Sequence, residues 1–243
     1  MIVLFSDFGV TRLYTGQVHG VLALGAAGVP VIDLLDDVPP YRVQGAAYLL
    51  AALSEAFPPG TVFFSVVDPG VGSPRLPAVV HAGGQWFVGP DNGLFEVVLR
   101  RSEGPRAWHI TWTPPRLSAT FHGRDLFAPV AAALAQGRPV PGVECDAGEL
   151  RRPEWPNDLA EIIYVDGYGN AITGLRAAAV AADAALSVGG IKIARRRTFS
   201  DVPEGTFLCY ENANGLIEIA ANQGRAADAL ALEPGSAVAI EQM

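Results

Sequence analysis

The chain has 243 residues, half of them apolar, and carries 17 basic against 25 acidic residues for a formal charge of −8. That length and apolar share are enough to bury a proper core, as one large domain or two modest ones. The acidic balance argues against a nucleic-acid backbone or an anionic membrane surface as the main partner and suits an uncharged or cationic small molecule. No apolar stretch reaches the roughly 20 residues of a membrane span. The N-terminus has no basic segment and meets a charge at Asp7, so a cytoplasmic protein is expected. Cys145 and Cys209 form neither a CxxC pair nor a Cys/His ligand cluster, which predicts two buried, inert thiols and no metal site.

The opening IVLF is a short β-like run that ends at Ser6-Asp7-Phe8-Gly9, and VPVIDLL (29–35) and TVFFSVVD (61–68) repeat the pattern, each closing at an aspartate. Between the latter two, VQGAAYLLAALSEAF (43–57) has apolar residues at helical spacing and stops at Pro58-Pro59-Gly60. This β–α–β order predicts an α/β N-terminal domain, residues 1–150, with a mainly parallel sheet. Ligands of open α/β sheets lie beyond the carboxyl ends of the strands, so Asp7 and Asp68 are expected to meet in one crevice. The composition shifts at LRRPEWPND, where Pro153 and Pro156 bracket a charged segment, and a linker is predicted over 151–158. Residues 159–243 then read as a smaller all-β domain, a barrel or a sandwich. Its strands are LAEIIYVD, the run 186–193, TFLCYEN, LIEIAAN and SAVAIEQM, and the alanine-heavy 177–185 suggests one or two helical turns.

Several segments carry polar chemistry. VVDPGVGSPR (66–75) follows a strand and is glycine-rich, but it lacks the Lys-Ser/Thr of a P-loop and the spacing of a dinucleotide fingerprint. It is a tight turn, across which Asp68 and Arg75 can fold back onto each other as a surface ion pair or as part of a site. In TFHGRDLFAP (120–129), Asp125 suits the cap of a helix running to Gly137. That leaves His122, between Phe121 and Gly123, as either a packed loop residue or a functional one, with Gly123 permitting close approach of a ligand. His19, His81 and His109 have no comparable setting. DGYGN (166–170), ENANGLIEIAANQG (211–224) and PDNG (90–93) each read equally well as turns, and Asp33, Asp36 and Asp37 as a solvated strand end rather than a metal site.

Taken together, SDFG (6–9), VVDPGVGSPR, FVGPDNG (87–93), TFHGRDLFAP, DGYGN and NANGLIEIA (212–220) resemble the family of S-adenosylmethionine hydroxide adenosyltransferases, relatives of the chlorinases and fluorinases. The resemblance spans nearly the whole chain. It implies an α/β N-terminal domain, a barrel-like C-terminal domain and a homotrimer whose sites lie between one subunit's N-domain and its neighbour's C-domain. The activity it implies is cofactor-free hydrolysis of S-adenosyl-L-methionine to adenosine and L-methionine, with water or hydroxide attacking ribose C5′. Asp68, Arg75 and His122 match the triad around that water. Halogenating relatives replace the aspartate and the histidine-glycine pair, so the resemblance favours water over halide; a halide-using enzyme and a non-catalytic sensor are the alternatives. Asp7 matches the carboxylate that takes both ribose hydroxyls, and Tyr41 an aromatic near the ribose. Phe121, Tyr41 and Val71 suit the apolar walls, with Gly123 beside them. Asp166, Tyr168 and Asn170 match groups that hold the methionine amine and the adenine, while Ala213, Glu218 and Ala221 match positions touching methionine or adenosine. Three positions depart from the pattern: Ala213 stands for a usual serine, Gly174 for a common asparagine and Asp36 for a common histidine.

Overall fold

The computed structural model describes residues 1–241. The chain forms two compact units, one of Met1–Leu50 with Phe57–Glu154, the other of Ala51–Ala56 with the residues from Trp155 onward. In chain order the first contains β1 (Ile2–Ser6), α1 (Thr15–Gly25), β2 (Val31–Leu35), most of α2 (Val43–Ser54), β3 (Val62–Val66), β4 (Pro77–Ala82), β5 (Gln85–Pro90), α3 (Glu96–Arg101), β6 (Arg106–Ile110), α4 (Ala128–Ala135) and β7 (Gly142–Cys145). Helix α2 stops at Ser54, three residues short of the apolar run that predicts it.

The strands of this unit form one sheet in the order β2-β1-β3-β5-β4-β6-β7. The pairs from β2 through β5 are parallel, and those from β5 through β7 antiparallel. The sheet is therefore mixed rather than mainly parallel. The reversal comes from Gly83 and Gly84, both at positive φ, which join β4 to β5 by a two-residue hairpin loop. Two consecutive residues at φ > 0 match the right-handed twist of a hairpin, and glycine adopts them without strain. Strands β1 and β3 are buried throughout, as central strands covered on both faces must be. Ile2, Leu4, Val62 and Phe64 face one core with Val18 and Leu22 of α1 and Val130 and Leu134 of α4. The intervening Val3, Phe5 and Phe63 are buried too, with Phe63 stacked on Phe87 at 5.0 Å, as alternation along a strand requires.

Glu96, at the start of α3, is fully buried. It accepts hydrogen bonds from Arg100 Nε at 2.8 Å, from Arg151 Nε at 3.1 Å and from the backbone N–H of Arg152. Asp146 caps the 3₁₀ turn Ala147–Leu150 by accepting the Gly148 N–H at 2.8 Å, and Leu150 is buried. The start of the predicted linker is thus tied to the first unit.

The second unit contains β8 (Leu159–Val165), β9 (Ala171–Arg176), β10 (Ala185–Val188), β11 (Ile191–Ala194), β12 (Phe207–Glu211), β13 (Leu216–Ala221), α5 (Ala226–Ala229) and β14 (Ala239–Glu241). They form two antiparallel sheets, β12-β13-β9-β8 and β11-β10-β14. Both sheets feed one core, with Ile162, Leu175, Ile217 and Ile219 from the first and Leu186 and Ile193 from the second. Isolated bridges at Arg195–Cys209 and Glu161–Ala237 connect them. The run 186–193 is a hairpin rather than one strand, because Gly189 and Gly190 turn the chain with positive φ at both positions. The alanine-heavy stretch forms a single 3₁₀ turn, Ala177–Ala179. Of the predicted terminal strand, Ala239–Glu241 pairs with β10, and residues 242–243 lie outside the described residues. Among the described residues no helix is long and apolar enough to cross a membrane.

Candidate active site

The first unit gathers its polar side chains where β1 and β3 end. These strands are parallel with Ser6 beside Val66, and the Asp7 N–H donates to the Val66 carbonyl at 3.3 Å. Asp7 is partly buried, and its pKa is pushed from the usual 3.8 to about 6, first by burial and then by the charge of Asp68. Backbone N–H groups of Asp7 and Asp68 draw it partly back. The two aspartates do share one crevice.

Beyond Asp68 the chain doubles back. The Val71 N–H donates to the Asp68 carbonyl at 3.3 Å and the Ser73 N–H to the Gly70 carbonyl at 3.0 Å. Gly72, at φ +81, lies so close to the Ala119 carbonyl that a Cβ would stand 2.7 Å from its oxygen, so only glycine fits this contact. The turn delivers Arg75 to Asp68: Nε donates to Oδ1 at 2.9 Å and Nη2 to Oδ2. With side chains 9 % and 6 % exposed, the pair is buried and forked rather than a surface contact. The guanidinium also lies 5.3 Å from the centroid of the Phe127 ring. From PDNG, Asn92 Nδ2 donates to the Val67 carbonyl at 2.8 Å and fixes the strand end just before Asp68.

Arg75 Nη2 also donates to His122 Nδ1, at 3.0 Å. A guanidinium has no acceptor, so Nδ1 accepts and the imidazole proton is assigned to Nε2. Burial, and then the charge of Arg75, hold the His122 pKa below its usual value; Asp68 and Asp125 oppose them. The imidazole is neutral and presents an N–H. Asp68, Arg75 and His122 thus form one continuous hydrogen-bonded line.

His122 directly precedes a π-helical turn, Gly123–Phe127, that runs into α4. Asp125 lies inside this turn and does not cap it, and the helix ends at Ala135 rather than Gly137. Its carboxylate instead accepts the Ser118 N–H at 2.8 Å and pairs with Arg124. Arg124 in turn donates to Gln17 of α1 at 2.9 Å and covers the Phe121 ring. Arg124 and Asp125 therefore hold the loop in which His122 sits. Beside Gly123 the space is filled by Phe8, whose ring would stand 2.7 Å from an added Cβ. Phe8, Tyr14 and Phe121 form an edge-to-face cluster, with Phe121 5.7 Å from Phe8 and 5.1 Å from Tyr14. Val71 is half-buried on its turn, while Tyr41, at φ +65, is 80 % exposed. A non-glycine residue in that conformation costs about 1–2 kcal/mol. In the middle of β2, Asp33 is not merely solvated, because His19 on α1 lies 2.5 Å from it. The half-buried Asp36 accepts the Gly9 N–H through its carbonyl at 2.6 Å.

In the second unit, Asp166, Tyr168, Asn170, Ala213, Glu218 and Ala221 all line one cleft of about 960 Å³. Asp166 Oδ1 accepts the backbone N–H groups of Tyr168 and Asn170, both at 2.9 Å, and Oδ2 accepts Asn170 Nδ2 at 3.0 Å. DGYGN is thus a turn organised by its own aspartate, with Asn170 nearly buried and Tyr168 80 % exposed. Glu218 is buried and accepts hydrogen bonds from Tyr210 Oη and, at 2.9 Å, from Asn212 Nδ2. Burial, then Glu218, push the Tyr210 pKa up, so its phenol stays a donor. Tyr210 and Phe199 also line the cleft from outside the motifs quoted above, and Asn212 lines it from within NANGLIEIA. Their signal is cross-strand register, since Tyr210 pairs directly with Glu218 across the β12–β13 hairpin. Gly174 has a structural reason: paired with Leu159, it would place a Cβ 2.6 Å from the Leu159 Cβ, so an asparagine has no room.

Residues 2–144 match the N-terminal domain of SAM hydroxide adenosyltransferases and residues 160–239 match their C-terminal domain. The chain belongs to this family. Among hydroxide adenosyltransferase relatives, the (R)-S-adenosyl-L-methionine hydrolase of Thermus thermophilus is 40% identical over 249 residues, covering 96% of each chain. The fluorinase of Actinopolyspora mzabensis is 26% identical over 99% of this chain and 96% of its own. An uncharacterized conserved protein from Thermotoga maritima, known from its crystal structure, superposes with a TM-score of 0.89 at 32% identity, with both chains fully covered.

Proposed function

We propose that this chain hydrolyses S-adenosyl-L-methionine to adenosine and L-methionine. The observation that carries this reading is the hydrogen-bonded line Asp68–Arg75–His122, with the Asp68–Arg75 pair buried, at the carboxyl edge of the sheet, in a chain 40% identical to a hydrolase over nearly its full length. Water oxygen bonds to ribose C5′ as the C5′–S bond breaks, and the electron pair of that bond leaves on sulfur. Methionine departs as a neutral thioether that needs no proton and no Lewis acid. What the step needs is a nucleophile held in line with the C–S bond, and positioning of that kind contributes roughly 7–11 kcal/mol. His122 donates its Nε2–H to the attacking oxygen, and the Arg75 cation favours hydroxide character on it. Asp68 keeps lone pairs beyond those that Arg75 occupies and receives the proton. Asp7, once ionised, accepts both ribose hydroxyls, and the second unit's cleft takes the adenine and the methionine.

Chromatography of products formed with and without chloride tests this reading. Adenosine and methionine are expected in both, and a 5′-chlorinated nucleoside would transfer the assignment to halide chemistry. In single turnover, a folded His122→Ala protein should form adenosine roughly 10²–10⁴-fold more slowly. Wild-type rate in that variant would remove His122 from the mechanism.

The assembly belongs to the same reading: a cytoplasmic homotrimer in which one subunit's N-domain and its neighbour's C-domain complete each site. Two free cysteines suit a reducing compartment, and Tyr41 and Tyr168, each 80 % exposed in the single chain, gain a cover from a neighbour. Mixing inactive Asp68→Ala with inactive Asn170→Ala should restore activity on subunit exchange, and no recovery after proven exchange would refute the shared site.

A further inference from the structure

Away from the triad, three elements of the first unit converge on a small group of potential ligands. His109 projects from β6, Cys145 closes β7, and Glu149 lies in the 3₁₀ turn that follows. One ligand atom from each lies within 4.8 Å of the other two. His109 Nε2 is buried without a hydrogen-bond partner. Its nearest carboxylate oxygen, Asp91 Oδ2, stands 3.5 Å away, too far for a good hydrogen bond but close to the edge of a coordination tetrahedron. With metal–ligand distances of about 2.0–2.3 Å, neighbouring ligands of such a tetrahedron lie roughly 3.3–3.8 Å apart. Closing the group therefore requires movement of about an ångström, and the exposed Glu149 is free to supply it.

We propose that His109, Cys145 and Glu149 form a binding site for a divalent transition-metal cation of the zinc class, with Asp91 beside the His109 ring. Thiolate, imidazole and carboxylate suit a borderline-soft cation better than calcium or magnesium. The local field has the right sign. The carboxylates of Glu149, Asp91 and Asp146 bring negative charge to the Cys145 sulfur, and a cation relieves that convergence. On binding, the S–H bond breaks, sulfur donates its pair to the metal and the proton leaves to solvent. Cys145 is half-buried rather than buried, which leaves the sulfur within reach of an ion. The bound cation would pin β7 and the following turn to β6, a structural role separate from the hydrolytic step.

The test uses the full-length protein, freed of metal by chelator and dialysis. One equivalent of Co²⁺ should produce a thiolate-to-cobalt charge-transfer band in the near ultraviolet, and Cys145→Ser should abolish it. Calorimetric Zn²⁺ titration of the Glu149→Gln protein, altered only at an exposed side chain, should show a loss of at least tenfold in affinity, by analogy with the ~10–100-fold lost when outer-shell partners of a metal are removed. Absence of the band in the wild type, its persistence in Cys145→Ser, where Cys209 would be its source, or unchanged Zn²⁺ affinity in Glu149→Gln would each overturn the site.

Discussion

Replacing Asp7 by asparagine separates what the crevice costs the fold from what it gives the ligand. A carboxyl whose pKa rises from 3.8 to about 6 on folding opposes folding once it ionises, by about 3 kcal/mol at 1.36 kcal/mol per pH unit. Solvent screening at this partly exposed group reduces that to about 1–2 kcal/mol. The sign follows from proton binding. Between pH 3.8 and about 6 the folded state holds the Asp7 proton more tightly than the unfolded state, so stability falls as pH rises through that window and stays lower above it. Asparagine keeps an acceptor for the backbone N–H groups and carries no charge. In urea unfolding at pH 7.5, Asp7→Asn should therefore be the more stable protein by about 1–2 kcal/mol, with the gain vanishing near pH 3.5. Calorimetry at pH 7.5 should show weaker adenosine binding, since at least one charge-assisted hydrogen bond worth about 1.5–3 kcal/mol is lost. Wild-type adenosine affinity itself should decline below pH 6 as Asp7 protonates. A variant no more stable than wild type at pH 7.5, or equally favoured at both pH values, would refute the assignment of a buried charge at this position.

Arg75→Lys should lower turnover in single-turnover assays while leaving substrate affinity nearly unchanged, because an ammonium cannot fork to Asp68 and reach His122 at once; wild-type turnover would show that the fork is dispensable. Gly174→Asn should cost about 1–3 kcal/mol in denaturant unfolding, the usual penalty for overpacking, because its Cβ meets Leu159; unchanged stability would mean that the β8–β9 pairing yields. Ala213→Ser adds a hydroxyl to the cleft of the second unit and should tighten S-adenosylmethionine binding by about 0.5–1.5 kcal/mol, to be read as a change in KM; no change would remove position 213 from methionine recognition.

The crevice was readable because β1 and β3 announce themselves as apolar runs that end in aspartate, and the fold rule for open sheets places such ends together. The triad was legible only through the family pattern. Seven residues separate Asp68 from Arg75, but 47 separate Arg75 from His122, and no local periodicity spans that gap. The antiparallel half of the sheet escaped because its deciding signal is two glycines, Gly83 and Gly84, in a segment without charge or motif. Asp125 misled for the opposite reason. It has the chemistry of a cap, but the π-helical turn already begins at Gly123, so its carboxylate reaches back to Ser118. The His109–Cys145–Glu149 group leaves no mark in the sequence, since strand pairing brings together residues 36 apart.

Glu96 sets where the chain can be cut. Ending an N-terminal fragment at Leu150, where the composition changes, would delete the Arg151 and Arg152 donors and leave a solvent-free carboxylate with Arg100 Nε still donating at 2.8 Å. Stranding a charge in that way is among the more damaging changes a folded protein can suffer. A fragment carried to Glu154, where the first compact unit ends, keeps every one of those donors. Anyone dissecting this enzyme into halves should read the border from a buried carboxylate rather than from the prolines.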